Sequence, residues 1–151
     1  MAAPRPSVLC VDDDRDIVAV VEAILEDAGY AVSSLYDLND DALMRTIEHL
    51  EPDAVLLDGI ARDTYGGSWE LAASIRKRSR PVPVVMFTAH RSDAAEAEEG
   101  SSERAAHAGF TAVLSKPFTL DELVQTVGRA VGSSEPFDRS RGPSSRARGS
   151  W

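Results

Sequence analysis

At 151 residues, 43% of them hydrophobic, the chain is long enough for one domain with a buried core and too apolar to be disordered throughout. Its formal net charge of −9 excludes the basic footprint of a general nucleic-acid binder, though not a protein partner with a basic face. Cys10 is the single cysteine, so no internal disulfide forms, and no apolar run approaches the ~20 residues of a membrane span.

The N-terminus, Met1-Ala2-Ala3-Pro4-Arg5-Pro6, has no apolar core of signal-peptide length, and a soluble cytoplasmic protein is the expectation. Residues 1–6 read as an N-terminal extension. Ser7 to Val11 is a first strand. Ile17, Val20, Val21, Ile24, Leu25 and Ala28 then recur at helical spacing until Gly29 stops the helix. Tyr30 to Ser34 reads as a short strand. Asn39 or Asp37 caps a second helix with Leu43, Ile47 and Leu50 on one face, ended by Pro52. Ala54 to Leu57 is the third strand. Gly66-Gly67-Ser68 forms a turn, with Ser68 as the cap of a helix carrying Leu71, Ala72 and Ile75.

Val82 to Phe87 is the fourth strand. The Ala- and Glu-rich helix after it is interrupted at Gly100-Ser101-Ser102, and its later part, Glu103 to Ala108, ends at Gly109. Phe110 to Leu114 is the fifth strand. Thr119-Leu120-Asp121-Glu122 is a capping box for a last helix with Leu123, Val124, Val127 and Val131. Five strands alternating with five helices predict an α/β domain over residues 7–131, a doubly wound five-stranded parallel sheet covered on both faces. Residues 132–151, rich in Ser, Arg, Gly and Pro, read as a disordered, weakly basic C-terminal tail with no room for an output domain.

Four strands end in polar residues of different chemistry: Asp12-Asp13-Asp14, Asp58, Thr88 and Lys116. Parallel neighbours bring these ends to one edge of the sheet, where ligands of open α/β sheets bind. Adjacent carboxylates are costly unless a cation neutralises them. Asp12, Asp13 and Asp58 suit a hard, oxygen-liganded ion, most simply Mg²⁺. One of these carboxylates can also act as a nucleophile and form an aspartyl phosphate. Thr88 can donate to a phosphoryl oxygen, and Lys116 supplies positive charge. Asp14 fits a helix cap better than a ligand.

This ordered set resembles the receiver domain of response regulators, the phospho-accepting module of two-component signalling, over Ser7 to about Val131. The flavodoxin-like fold is implied. Asp12 and Asp13 correspond to the paired acidic residues after the first strand, and Asp58 to the phosphoacceptor. Thr88, followed by Ala89, corresponds to the hydroxyl residue, and Lys116 in Ser115-Lys116-Pro117-Phe118 to the lysine. The resemblance implies a Mg²⁺ cofactor held by Asp12, Asp13, Asp58 and the backbone carbonyl of Ile60. It implies a sensor histidine kinase or histidine phosphotransfer protein as donor. A downstream protein would respond to a population shift in the face formed by the fourth helix, fifth strand and last helix. No direct nucleic-acid contact, no membrane insertion and no turnover enzyme activity are expected.

The chain departs from the family pattern in four places. Arg62 stands where a proline is usual, and Gly66-Gly67 follows a longer loop. Ile60 and His90 occupy the two positions that modulate phosphoryl lifetime. The segment between Thr88 and Lys116 is longer by about one and a half turns at ~3.6 residues per turn, with an acidic stretch from Asp93 to Glu103. That stretch reads first as a solvated loop and second as a docking element or cover. Val113 replaces the switch aromatic. Two alternatives follow: a degenerate receiver that docks without phosphorylation, and a haloacid-dehalogenase-like phosphatase starting at Asp12-x-Asp14. The phosphatase is opposed by Asp16 and by the lack of a strand ending in an acidic pair after Lys116. Cys10 is expected buried and inert, Trp69 to pack at the start of the third helix, and His49 and His107 to be ordinary helical residues.

Overall fold

The computed structural model describes residues 5–37, 39–58 and 67–132. Its elements run β1 (Ser7–Val11), α1 (Arg15–Asp27), β2 (Ala31–Leu35), α2 (Asp40–Leu50), β3 (Ala54–Asp58), α3 (Gly67–Arg76), β4 (Val84–Thr88), α4 (Arg91–Glu99), α5 (Glu103–Ala108), β5 (Ala112–Ser115) and α6 (Leu120–Gly132). The strands form one parallel sheet in the order β2-β1-β3-β4-β5. The doubly wound fold expected from the alternation is therefore present, with six helices among the described residues in place of five. The extra helix arises because Gly100, at φ +72°, closes α4, and Ser102 opens α5 by accepting from the Ala105 N–H.

Side chains alternate along each strand, so one sheet builds two cores. Leu9, Val11, Val55, Leu57, Val84 and Met86 face Leu43 and Ile47 of α2, Trp69, Ala72 and Ile75 of α3, Ala97 of α4, and Ala105 and Ala108 of α5. Val8, Cys10, Leu56, Val85, Phe87 and Leu114 face Val18, Val21 and Leu25 of α1 and Leu123, Val127 and Ala130 of α6. Each large aliphatic side chain buried this way contributes about 1.5–3 kcal/mol from water exclusion.

Several sequence expectations shift. Along α1 the buried stripe is Val18, Val21 and Leu25, and Val20 is 49% exposed because it lies about 100° round the helix from Val21. Leu50 also faces out, at the last position of α2, where the chain turns away through Glu51 at φ 46°. The caps Asp14, Asn39 and the Thr119–Glu122 box form as expected. Asp14 accepts from the N–H groups of Asp16 and Ile17, and Asn39 from that of Ala42. The Thr119 N–H donates to Glu122 and the Glu122 N–H to Thr119. Ser68 does not cap α3. It is the second helical residue, buried, and its hydroxyl donates to the backbone carbonyl of Asp58.

The acidic stretch from Asp93 to Glu103 is largely helical rather than a loop, broken only at residues 100–102, and its Glu98, Glu99 and Glu103 are exposed to solvent as expected. Residues 93–99 belong to α4, and Arg104 gathers the first two acids. Its Nε and Nη2 reach Glu96 at 2.8 Å each, and Nη2 reaches Asp93 at 3.3 Å. The guanidinium stacks 4.1 Å from the Trp69 ring centroid, and Trp69 meets Phe110 edge-on at 5.4 Å. Trp69 thus packs at the start of α3 as expected. The expected segments 1–6 and 132–151 fall mostly outside the described residues, as do Ile60 and Arg62. No helix among the described residues is long and apolar enough to cross a membrane.

Candidate functional site

The strand order reverses between β1 and β3, and an open sheet leaves a crevice at such a point, outside the carboxyl ends of its strands. Asp12 is the first residue past β1. Its N–H donates to the Leu35 carbonyl at 3.1 Å, which extends the β1–β2 pairing and fixes the residue at the strand tip. Its Oδ1 accepts from the Asp14 N–H at 2.9 Å, tying it to the cap of α1. Asp58 is the last residue of β3. Asp12 and Asp58 are 1% and 4% exposed, so both carboxylates sit out of water, whereas Asp13 is exposed.

Lys116 follows β5. Its N–H donates to the Thr88 carbonyl at 2.7 Å, which carries the β4–β5 pairing one step further and sets where the lysine departs. Its Nζ donates to Asp12 Oδ2 at 3.0 Å and to Asp58 Oδ1 at 3.5 Å. Thr88, fully buried, lies within β4 as its last residue, and its Oγ1 accepts from the His90 N–H at 3.0 Å. His90 is the exposed cap position of α4, with no side-chain capping bond.

The structure therefore brings Asp12, Asp13, Asp58 and Lys116 together and places Thr88 on the strand next to Asp58. Oxygen atoms of the three carboxylates lie within 4.8 Å of one another. Lys116 bonds the two buried carboxylates, Asp12 and Asp58, and the exposed Asp13 adds a third like charge close to them, a crowding that disfavours the ionised forms unless a cation offsets it. An all-oxygen, net-negative set of this kind suits a hard divalent cation and offers nothing to a soft one. Burial first, and then the Asp12 charge, push the Cys10 thiol up to about 12, so it stays a neutral core side chain. His49 and His107, each in the last turn of its helix, remain exposed and apart from the site. Sequence reasoning missed Ser68, which holds the Asp58 backbone, and Phe87, whose ring lies 4.5 Å from Lys116 Nζ.

A parallel sheet with an acidic trio and a lysine at its switch point has the chemistry that suits a hard cation and a phosphoryl group. The chain belongs to the response regulator receiver domain family, whose model matches residues 8–128. It is 33% identical over 140 residues to the DNA-binding transcriptional regulator NtrC of Bradyrhizobium, covering 93% of this chain and 27% of that protein. It is 32% identical over 127 residues to the nitrogen assimilation regulatory protein NtrX of Azorhizobium caulinodans, covering 82% and 26%. Among solved structures, the receiver domain of NtrX from Brucella abortus matches with a TM-score of 0.68 at 28% identity, covering 83% of this chain and 98% of that one. The chemotaxis response regulator CheY4 of Vibrio cholerae matches with a TM-score of 0.68 at 26% identity, covering 84% and 99%. The chain spans about a quarter of the length of the two regulators. Membership in this family replaces the phosphatase alternative.

Proposed function

We propose that this chain is a phospho-accepting response regulator of the cytoplasm. Asp58 receives a phosphoryl group from a sensor histidine kinase or a histidine phosphotransfer protein, with Mg²⁺ bound. The modified domain then binds a downstream protein differently, with no direct nucleic-acid contact of its own. The observation that carries this reading is the convergence of three carboxylates, two of them bonded to Lys116, at the sheet's switch point.

Asp12, Asp13 and Asp58 would hold the ion, with the backbone carbonyl of Ile60, outside the described residues, as a further ligand. When bound, Mg²⁺ supplies positive charge that offsets the carboxylates and the phosphoryl oxygens. Asp58 attacks phosphorus, a P–O bond forms, and the P–N bond of the phosphohistidine breaks, with the imidazole taking a proton. Lys116, already 3.5 Å from an Asp58 oxygen, pairs with the incoming phosphoryl group. The Thr88 hydroxyl, oriented by the His90 N–H, donates to a phosphoryl oxygen. Ile60 and His90 set how readily water reaches the acyl phosphate. The group transfer is stoichiometric, and only slow self-dephosphorylation restores the free carboxylate.

The test is intact-mass spectrometry after incubation with acetyl phosphate and Mg²⁺, beside Asp58→Asn. One phosphoryl adduct on the wild type and none on the variant is the expected result. No adduct under conditions that label another receiver would overturn the reading in favour of a docking module that works unphosphorylated.

A further inference from the structure

We infer that Phe87 is a positioning residue for Lys116, its ring face holding the ammonium in the site when the carboxylates are engaged by a cation. This rests on the phosphoacceptor reading above. Phe87 is fully buried and pairs in register with Asp58 across β3 and β4, so the two residues stand side by side at the same edge. Lys116 Nζ lies 4.5 Å from the Phe87 ring centroid, inside the ~6 Å range in which a ring face attracts a cation. The ring is braced by Phe118, at 5.3 Å between centroids and tilted 53°, and Phe118 itself lies two residues past the lysine.

A buried phenylalanine in a strand is ordinarily only core. The lysine's partners make this one different. Its carboxylate contacts, Asp12 and Asp58, both belong to the trio suited to a divalent ion. A cation there draws the same oxygens away from the ammonium. The ring has no oxygen to offer a hard ion, so it does not compete for it. Its hold on Lys116 persists through metal binding and phosphoryl transfer, and the ammonium, whose side chain is only 15% exposed, stays aimed at Asp58 rather than swinging to solvent.

Lys77 and Lys116 are the chain's lysines, so ¹³C-lysine labelling gives a spectrum in which Lys116 can be read directly by NMR. The ε-protons of Lys116 should be shifted upfield of those of Lys77 by the ring current, both in metal-free protein and with Mg²⁺ and beryllofluoride. Phe87→Leu should abolish that shift and slow labelling by acetyl phosphate about three- to thirtyfold, the loss expected of a desolvated cation–ring contact. Val85→Ala, in the same core and strand but two residues further from the strand's carboxyl end, should leave the ring-current shift in place and slow labelling less than Phe87→Leu does. Absence of the upfield shift in either state of the wild type overturns the inference, as does a Phe87→Leu rate no lower than that of Val85→Ala. The metal-free spectrum needs no phosphorylation, so a wild type that shows the shift but takes no adduct sinks the phosphoacceptor reading alone.

Discussion

Two clusters in this molecule each gather carboxylates around a single cationic side chain, and they are built to opposite ends. Around Arg104, Glu96 is gripped at both oxygens, Asp93 is in reach, the Ser102 hydroxyl donates to Glu96 at 2.6 Å, and Trp69 covers the guanidinium. That cluster lies at the surface and is satisfied by its own members. Around Lys116, the ammonium bonds the buried Asp12 and Asp58, and the exposed Asp13 brings a third carboxylate oxygen within 4.8 Å of theirs. The first arrangement staples α4 and α5 to α3. The second brings like charges together at the carboxyl ends of the strands. Opposite charges paired at a surface mark a structural staple, whereas like charges converging at a sheet's switch point mark a place suited to a cation.

Substitutions separate the two clusters. The largest effect should come from Asp12→Asn, which removes a buried ligand. Mg²⁺ affinity should fall by at least the roughly 10- to 100-fold that losing even an outer-shell partner costs, read as the Mg²⁺ concentration that half-saturates labelling of Asp58. Arg104→Ala should leave that concentration unchanged and lower unfolding stability by about 1–2 kcal/mol, combining a cation–ring contact with a half-exposed ion pair; urea denaturation measures it. Asp13→Ala should act in the other direction on metal-free protein, raising stability by a few tenths to about 1 kcal/mol as like-charge repulsion is relieved. A loss of stability there would show that the three carboxylates do not repel one another in the folded chain.

The smallest effect is a pH dependence peculiar to the Arg104 cluster. Hydrogen bonds from Arg104, then from Ser102, hold the Glu96 carboxyl at about 2, below its ordinary 4.5. The contribution is therefore fully present above pH 4.5 and is lost as pH falls from there through about 2. Denaturation midpoints taken across that window should drop more steeply in the wild type than in Arg104→Ala. Parallel curves would break the assignment.

How much of this was legible in the sequence depends on the range of each interaction. Caps and strand ends are local, so Asp14, the Thr119–Glu122 box and the four polar strand ends could be read directly. Ser68 was misread because a serine before an apolar helical run has the pattern of a cap, whereas its hydroxyl is spent on the Asp58 carbonyl ten residues back. Phe87 was hidden in an apolar run, where nothing in the sequence distinguishes a ring under a cation from ordinary core. The Asp93–Glu103 stretch is solvated at Glu98, Glu99 and Glu103 as read, whereas the hold on Asp93 and Glu96 was hidden because Arg104 and Trp69 meet only once α3 and α5 pack together. Val20 and Leu50 showed that helical spacing finds an apolar stripe more reliably than its edges.

The most direct measurement is a calorimetric titration of Mg²⁺ into the wild type and Arg104→Ala, with Asp12→Asn alongside. The account predicts one Mg²⁺ per chain on the first two proteins and binding abolished or greatly weakened in the third. Equal binding by all three, or none by the wild type, would contradict the claim that the converging carboxylates beside Lys116 are a cation site.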